Sequence, residues 1–413
     1  MTGGTEPDVS PERSAQRQPL AAVFLAFLQL GLTSFGGPVA HLGYFRDALV
    51  VRRRWIDERS YADLVALCQF LPGPASSQVG IGIGLAKAGL PGALAAWFAF
   101  TMPSAIALVT FGYGVVAYRE AIPGGVLHGL KVVAVAVVAQ AVWGMARTLT
   151  PDAPRVTLAV IAAAAVLAVP GPLVQVGVIA AGALAGLAFL RAGSEEPGHV
   201  ALAIAVSRWL AIGALGLFLA LLVALPLVAA AYPSQALSLG DSFYRSGSLV
   251  FGGGHVVLPL LQSEVVPSGW VSNDAFLAGY GAAQAVPGPL FTFAAYLGAV
   301  AGPAPNGWLG ATICLVAIFA PSFLLIVGAL PFWDALRRHG PVRRALLGVN
   351  AAVVGLLLAA LYDPVWTSGI LQARDFALAL AAFTLLALWK VPPWLVVILT
   401  AAGGWGLQAA GHP

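Results

Sequence analysis

Residues 60–88 read SYADLVALCQFLPGPASSQVGIGIGLAKA, an apolar run that Pro72-Gly73-Pro74 interrupts near its middle. Proline lacks the backbone donor that a helix needs and clashes with the preceding turn, so an undisturbed helix cannot pass through this stretch. The pieces on either side would form about 18 Å and about 21 Å of helix. Each is too short for the roughly 30 Å of a bilayer's hydrocarbon core. The stretch therefore predicts either a broken spanning helix or a re-entrant hairpin.

The composition of the whole chain is that of a membrane protein. Of its 413 residues, 59% are hydrophobic and 9% are charged, whereas a soluble domain has about 25% charged residues. These values exclude a soluble globular enzyme, a disordered chain and a nucleic-acid-binding protein. They predict an all-α polytopic membrane protein that lies in the lipid bilayer. Thirteen apolar segments carry this prediction: 20–50, 60–88, 90–118, 126–148, 156–170, 172–190, 208–232, 237–263, 272–301, 308–333, 344–361, 375–390 and 394–411.

The chain repeats its interrupted segments at an offset of about 215 residues, with the motifs in the same order. Phe35-Gly36-Gly37-Pro38 recurs as Phe251-Gly252-Gly253-Gly254, and Pro72-Gly73-Pro74 recurs as Pro287-Gly288-Pro289. This self-similarity predicts two repeats joined by a linker and preceded by a short tail. The predicted parts are a disordered cytoplasmic tail at 1–19, a first repeat at 20–190, a linker with one extra transmembrane helix at 191–236, and a second repeat at 237–413.

The number of segments predicts how the two repeats are oriented. Six segments plus the extra helix separate equivalent points, and this odd number predicts that the second repeat is inverted relative to the first, as in many secondary transporters. Arg and Lys concentrate in cytoplasmic loops. Four segments are interrupted: 20–50, 60–88, 237–263 and 272–301. The basic clusters at 46–59 and 337–344 lie on the same face of the membrane only if these four segments are re-entrant hairpins. We favour nine spans and four hairpins over thirteen spans, and both topologies place the N-terminus in the cytoplasm and the C-terminus in the periplasm.

The interruptions also predict a binding chemistry. A helix that begins inside the membrane presents unpaired N–H groups and the positive end of its dipole, which bind phosphate- or sulfate-like anions. Half-helices that begin after Pro38, after Pro74, near Gly254 and after Pro289 would form a cup of donors for a compact oxyanion. The predicted substrate-binding residues are Gly36, Gly37, His41, Gln69, Pro72, Gly73, Pro74, Ser76, Ser77, Arg245, Gly252, Gly253, His255, Gln284, Pro287, Gly288, Pro289 and Thr292.

Several of these side chains have a second interpretation. Arg245 lies in an apolar run, where an arginine is costly and suggests function, but it can also pair with Asp241 four residues earlier. Lys131 is a candidate second cation or a snorkelling side chain near a helix end. His41 and His255 are candidates for a proton carrier or a hairpin cap. The glutamines before each Pro-Gly-Pro either contact substrate or bind hairpin backbone groups.

Metal and cofactor chemistry has no support in the sequence. Cys68 and Cys314 lie in apolar runs, and neither has a second thiol or a histidine at metal-ligand spacing. The sequence shows no ATP-binding P-loop. It also lacks the G-x-S-x-G and H-E-x-x-H motifs of hydrolytic enzymes. We therefore expect no cofactor, no metal site and no enzymatic activity.

The ordered motifs resemble a known family. They are Phe35-Gly36-Gly37-Pro38 with His41, then Trp55-Ile56, then Leu71-Pro72-Gly73-Pro74, then Phe251-Gly252-Gly253-Gly254 with Pro259-Leu260-Leu261, then Val286-Pro287-Gly288-Pro289. In this combination they resemble the chromate ion transporter family in its long, two-domain form, over residues 20–411. The resemblance implies a carrier of the bacterial inner membrane that exports chromate and confers chromate resistance. Sulfate, similar in size, charge and shape, is the alternative substrate that it implies.

Other interpretations remain beside this one. A carrier of a different small solute, such as an organic anion or an amino acid, is the main alternative function. The energy source is open between a uniporter and a proton antiporter, because a dianion leaves a negative cytoplasm downhill. A homodimer is an open question at this stage.

Overall fold

The computed structural model describes residues 17–117, 123–169, 171–191, 206–251 and 254–410, without the side chains of Val39, Asp334, Arg337 and Arg338. The regular secondary structure of this part of the chain is helical throughout. The tail predicted at 1–19 lies outside the described residues up to residue 16, as do Gly252, Gly253 and residues 192–205 of the linker. The helices are α1 (Leu20–Thr33), α2 (Gly37–Phe45), α3 (Glu58–Phe70), α4 (Ala75–Ala117), α5 (Gly124–Leu149), α6 (Ala153–Ala168), α7 (Pro172–Phe189), α8 (Arg208–Ala231), α9 (Gln235–Leu249), α10 (Val257–Val265), α11 (Asn273–Ala283), α12 (Phe293–Val300), α13 (Gly307–Ala329), α14 (Trp333–Arg338), α15 (Gly340–Ala360), α16 (Ala373–Ala387) and α17 (Pro393–Ala410).

Seven helices in the described ranges are long and apolar enough to cross a membrane. The predicted polytopic helical fold is therefore confirmed. The seven are α4, α5, α7, α8, α13 with its extension to Phe332, α15 with its extension to Gly369, and α17. Two of the nine predicted spans, α6 with 16 residues and α16 with 15 residues, are shorter than these. The arrangement of spans and hairpins relative to the bilayer stays a prediction.

The helices break where the glycines and prolines predict. α1 ends at Thr33 and α3 ends at Phe70, and in the second half α9 ends at Leu249 and α11 ends at Ala283. The next helices begin at Gly37 and Ala75, and after short 3-10 turns at Gly254–Val256 and Leu290–Thr292.

Helix α4 is not one straight rod. Ala88 and Gly89 have non-helical dihedral angles, and the chain turns back there. A Cβ atom on Gly84 would overlap the backbone of Gly92, a contact that a straight helix does not make between residues eight apart. Pro91 follows the turn in the first helical positions, where its missing N–H is not needed. The predicted boundary between the segments 60–88 and 90–118 is therefore correct.

The two halves of the chain are interlocked. α5 of the first half packs against α16 and α17 of the second half, and α15 of the second half packs against α6 and α7 of the first half. Glycines allow the close approach: a Cβ on Gly182 would lie 2.7 Å from the Cβ of Ala352. Small residues at such crossings let membrane helices pack by backbone contact. These contacts correspond between the halves, whereas the inversion of the second repeat stays a prediction.

Candidate functional site

The helix breaks of the two halves are hydrogen-bonded to each other. The N–H of Gly73 donates to the carbonyl oxygen of Val250 at 2.7 Å, and the N–H of Gly288 donates to the carbonyl oxygen of Ser34 at 2.9 Å. Each Pro-Gly-Pro turn thus bonds to the other half at the position where α1 or α9 has just ended. The helix breaks of the two halves therefore lie close together. These two N–H groups already donate within the protein, as buried backbone donors normally do, and are not available to a ligand.

Only glycine fits at the centres of the two Pro-Gly-Pro turns. Gly73 has φ of +119° and Gly288 has φ of +102°, a region that residues with a Cβ rarely adopt. A Cβ on Gly73 would lie 2.8 Å from Oγ of Ser322, and a Cβ on Gly288 would lie 2.7 Å from Oγ of Ser104. Each turn is therefore pressed against a serine of the neighbouring span.

A cavity of about 1100 Å³ lies at three of the four breaks. The residues Gly36 and Pro38 line it at the start of α2, Gly73 and Ala75 at the start of α4, and His255 before α10. We call it the main cavity. The other lining residues are Leu42, Cys68, Gln69, Leu71, Gln140, Ala141, Trp143, Gly144, Met145, Arg147, Thr148, Leu149, Gly254, Asn350, Phe383, Ala387 and Leu388.

Most residues that line the main cavity are apolar, its ionisable nitrogen side chains are basic, and none of its described lining residues is acidic. Arg147 and His255 line it together with the amides of Gln69, Gln140 and Asn350, and no Asp or Glu is among the lining residues that the structure describes. The Arg147 side chain is exposed and takes part in none of the ion pairs of the described chain. A cation site needs carboxylates or other negative groups, so this lining favours an anion.

A second cavity of about 280 Å³ lies beside the main cavity. We call it the side cavity. Gln69 and Asn350 line both cavities, so the two spaces meet at these residues. The other residues around the side cavity are Ala66, Phe70, Arg343, Leu346 and Leu347.

The two histidines near the breaks have different surroundings. Nδ1 of His255 lies 2.8 Å from the hydroxyl of Tyr280, and the ring lines the main cavity. His41 is buried, with Nδ1 3.4 Å from Oγ of Ser76 and the ring edge-on to Phe100. Nε2 of His41 has no hydrogen-bond partner. His255 is therefore placed to meet a solute, and His41 lies behind the cavity wall.

The two predicted cations lie away from both cavities. Arg245 pairs with Asp241 at 2.7 Å and with Glu264 at 3.1 Å, and Lys131 pairs with Asp274 at 2.9 Å. Neither lines the main cavity or the side cavity. The charge of Arg245 is thus balanced by acidic side chains one helical turn away and on α10, so the pairing interpretation accounts for its position.

The remaining predicted residues divide into three groups. Gly36, Gln69, Gly73 and His255 line the main cavity. Gly252 and Gly253 lie outside the described residues. The others build the turns and the layer behind the wall and do not line it: Gly37, His41, Pro72, Pro74, Ser76, Ser77, Gln284, Pro287, Gly288, Pro289 and Thr292.

Sequence reasoning missed the contribution of α5 to the site. Gln140, Trp143, Gly144 and Arg147 line the main cavity at intervals of three and four residues, which is one face of a helix. The signal in the sequence was the seven-residue spacing of Gln140 and Arg147, which places both on the same face of a helix. Arg147 is not among the predicted site residues.

Comparison with known proteins agrees with the motifs. The chromate transporter family profile matches residues 21–187 and again residues 237–405, once in each half. A chromate transport protein of Pseudomonas aeruginosa is 30% identical over 93% of this chain and 91% of its own length. A chromate transport protein of Cupriavidus metallidurans is 26% identical over 87% of each chain, and an uncharacterized transporter of Methanocaldococcus jannaschii is 26% identical over 82% of each. No solved structure shows significant similarity. The chain is therefore a multi-pass membrane protein that belongs to the chromate transporter family.

Proposed function

We propose that this protein is a secondary transporter that exports chromate from the bacterial cytoplasm and thereby confers chromate resistance. The observation that carries the proposal is the main cavity, which joins three helix breaks and is lined by Arg147 and His255, with no carboxylate among its described lining residues. The names of the relatives in Pseudomonas and Cupriavidus support chromate as the substrate.

The donors around the main cavity suit a tetrahedral dianion. The N-terminal ends of α2 and α4 lie at the cavity wall, where Gly36, Pro38 and Ala75 line it. Helix N-termini favour negative charge. Amide side chains add further donors, and Arg147 supplies one full positive charge. A site with one arginine holds a dianion without neutralising it fully, so release stays fast. Sulfate has the same charge and shape and is expected to compete.

The position of the main cavity supports loading from the cytoplasm. The cavity wall includes the C-terminal ends of α5 and α16, through residues 147–149 and 387–388. Arg147 lies in the last turn of α5, and under the hairpin topology this helix end and Lys390 face the cytoplasm, where basic residues concentrate. Export from there is driven by the membrane potential, at about 2.3 kcal/mol per elementary charge for every 100 mV. A dianion gains twice this amount, so a uniporter suffices.

Chromate uptake into inverted membrane vesicles tests the proposal, because the outside of such vesicles is the cytoplasmic face. A potassium gradient with valinomycin sets an interior-positive potential. We expect chromate to accumulate, unlabelled sulfate to reduce the uptake, and Arg147→Gln to slow it about tenfold, the loss expected for one charge-assisted contact. Arg155→Gln is the control, since Arg155 pairs with Asp152 outside both cavities. Uptake no greater than in vesicles without the protein would overturn the proposal.

A further inference from the structure

We propose that the side cavity is a second oxyanion site, which Arg343 forms with Gln69 and Asn350. The inference rests on the proposed function and adds that the transporter binds two anions at once, one on each side of this amide pair. Arg343, Leu346, Leu347 and Asn350 line the side cavity at the spacing of one helix face of α15. Ala66, Gln69 and Phe70 line it from α3 in the same way. The cavity is thus a partly open gap between α3 of the first half and α15 of the second.

The charge of Arg343 points to an anionic ligand. Arg343 is half-buried, and no described acidic residue pairs with it. Arg46, Arg155 and Arg245, by contrast, each have a carboxylate within 3.1 Å. With no acidic partner among the described residues, the Arg343 guanidinium has its charge free for a ligand, and an oxyanion in the side cavity would balance it. Guanidinium also binds tetrahedral oxyanions through two parallel N–H donors.

The size of the side cavity fits one oxyanion with part of its hydration shell. A water molecule occupies roughly 30 Å³ in the liquid, and the cavity volume is about 280 Å³. The apolar residues Ala66, Leu346 and Leu347 cover the rest of the wall and offer no competing charge.

Gln69 and Asn350 connect this site to transport. Both residues line the two cavities, so an anion at Arg343 and an anion in the main cavity would border the same pair of residues. Two dianions on opposite sides of these amides repel each other. Binding at Arg343 therefore weakens the binding of the anion ahead of it, as in multi-ion conduction. Arg343 acts as the loading position.

An anionic lipid headgroup has the same oxyanion chemistry as a free anion such as chromate. The binding experiment is therefore designed to distinguish these two ligands of the side cavity. Equilibrium dialysis with radiolabelled chromate, on the full chain in detergent, gives the number of bound anions per chain. We expect two for the wild type, one for Arg343→Gln, and two for Arg344→Gln, the control, because Arg344 is the neighbouring arginine and lines neither cavity. One bound chromate in both the wild type and Arg343→Gln overturns the inference and leaves the proposed function intact. Absence of any binding by the wild type overturns both.

Added lipid completes the binding test. Displacement of the second chromate by phosphatidylglycerol and not by phosphatidylcholine would assign the side cavity to a lipid headgroup and overturn the loading role. We expect neither lipid to displace it.

Transport kinetics supply the second readout. In inverted vesicles, Arg343→Gln is expected to raise the half-saturating chromate concentration about tenfold, to leave binding in the main cavity intact, and to weaken the dependence of uptake on salt. Arg343→Lys keeps the charge and should stay within about threefold of the wild type. A half-saturating concentration unchanged in Arg343→Gln contradicts the inference.

Discussion

Gly73 shows how a single residue shapes the site. Its φ of +119° and the nearby Oγ of Ser322 leave no room for a side chain, and its N–H holds the end of α9 through Val250. Gly73→Ala is expected to lower the free energy of unfolding by about 1–3 kcal/mol, from backbone strain and overpacking. Thermal unfolding of the purified protein measures this. The control is Gly177→Ala, at an exposed helical position with open space around it, which should be neutral or slightly stabilising. Equal stability of the two variants would contradict the account of Gly73.

Arg245 is a structural residue in this account. It balances Asp241 and Glu264, both largely buried. Arg245→Gln would leave two carboxylates without a cation, and we expect a loss of about 1–3 kcal/mol, because the arginine is partly exposed. The double variant with Asp241→Asn should recover part of the loss, and thermal unfolding compares the two. An Arg245→Gln protein of wild-type stability that no longer transports chromate would return Arg245 to the substrate site.

The half-helices are the elements that sequence reasoning predicted best. Pro72 and Pro74 lack backbone donors and flank a glycine, and this local combination favours a helix end. A lone proline is not sufficient, because Pro103 lies inside α4 and Pro321 lies inside α13. The partner of Gly73 was not predictable in the same way. Val250 is far away in the chain, and nothing in an apolar sequence reports which carbonyl approaches which N–H. Arg147 was missed for a similar reason, since its role depends on which face of α5 borders the cavity.

The orientation of the half-helices in the bilayer yields a further prediction. With re-entrant hairpins, the loops near residues 52 and 340 lie on the cytoplasmic face. Arg52→Cys and Gly340→Cys should then react with an impermeant maleimide in inverted vesicles and not in intact cells. The native Cys68 and Cys314 are buried, and labelling of the parent protein, which has only these two cysteines, gives the background signal. Labelling of the two positions from opposite faces would favour spanning segments instead.

At the scale of the whole molecule, the halves are joined by corresponding contacts. Each Pro-Gly-Pro turn bonds to the other half, and the spans α5 and α15 each pack against helices of the other half. The asymmetry lies in the cavity, which includes Gly36, Gly73 and His255 but not Gly288. A cavity that reaches three breaks and not the fourth is an asymmetry expected of one state of an alternating-access carrier. The boundaries of the repeats stay a prediction.

Locating bound chromate is the most direct test of the central claim, that the broken helices and Arg147 form the oxyanion site. Diffraction from crystals of the full chain grown with chromate, recorded near the chromium absorption edge, shows the position of the metal atom without reference to the protein. We predict a chromium peak in the main cavity, between the N-terminal ends of α2 and α4 and the side chain of Arg147. The absence of a peak there at saturating chromate, or an unbroken helix through residues 71–74, would contradict the account.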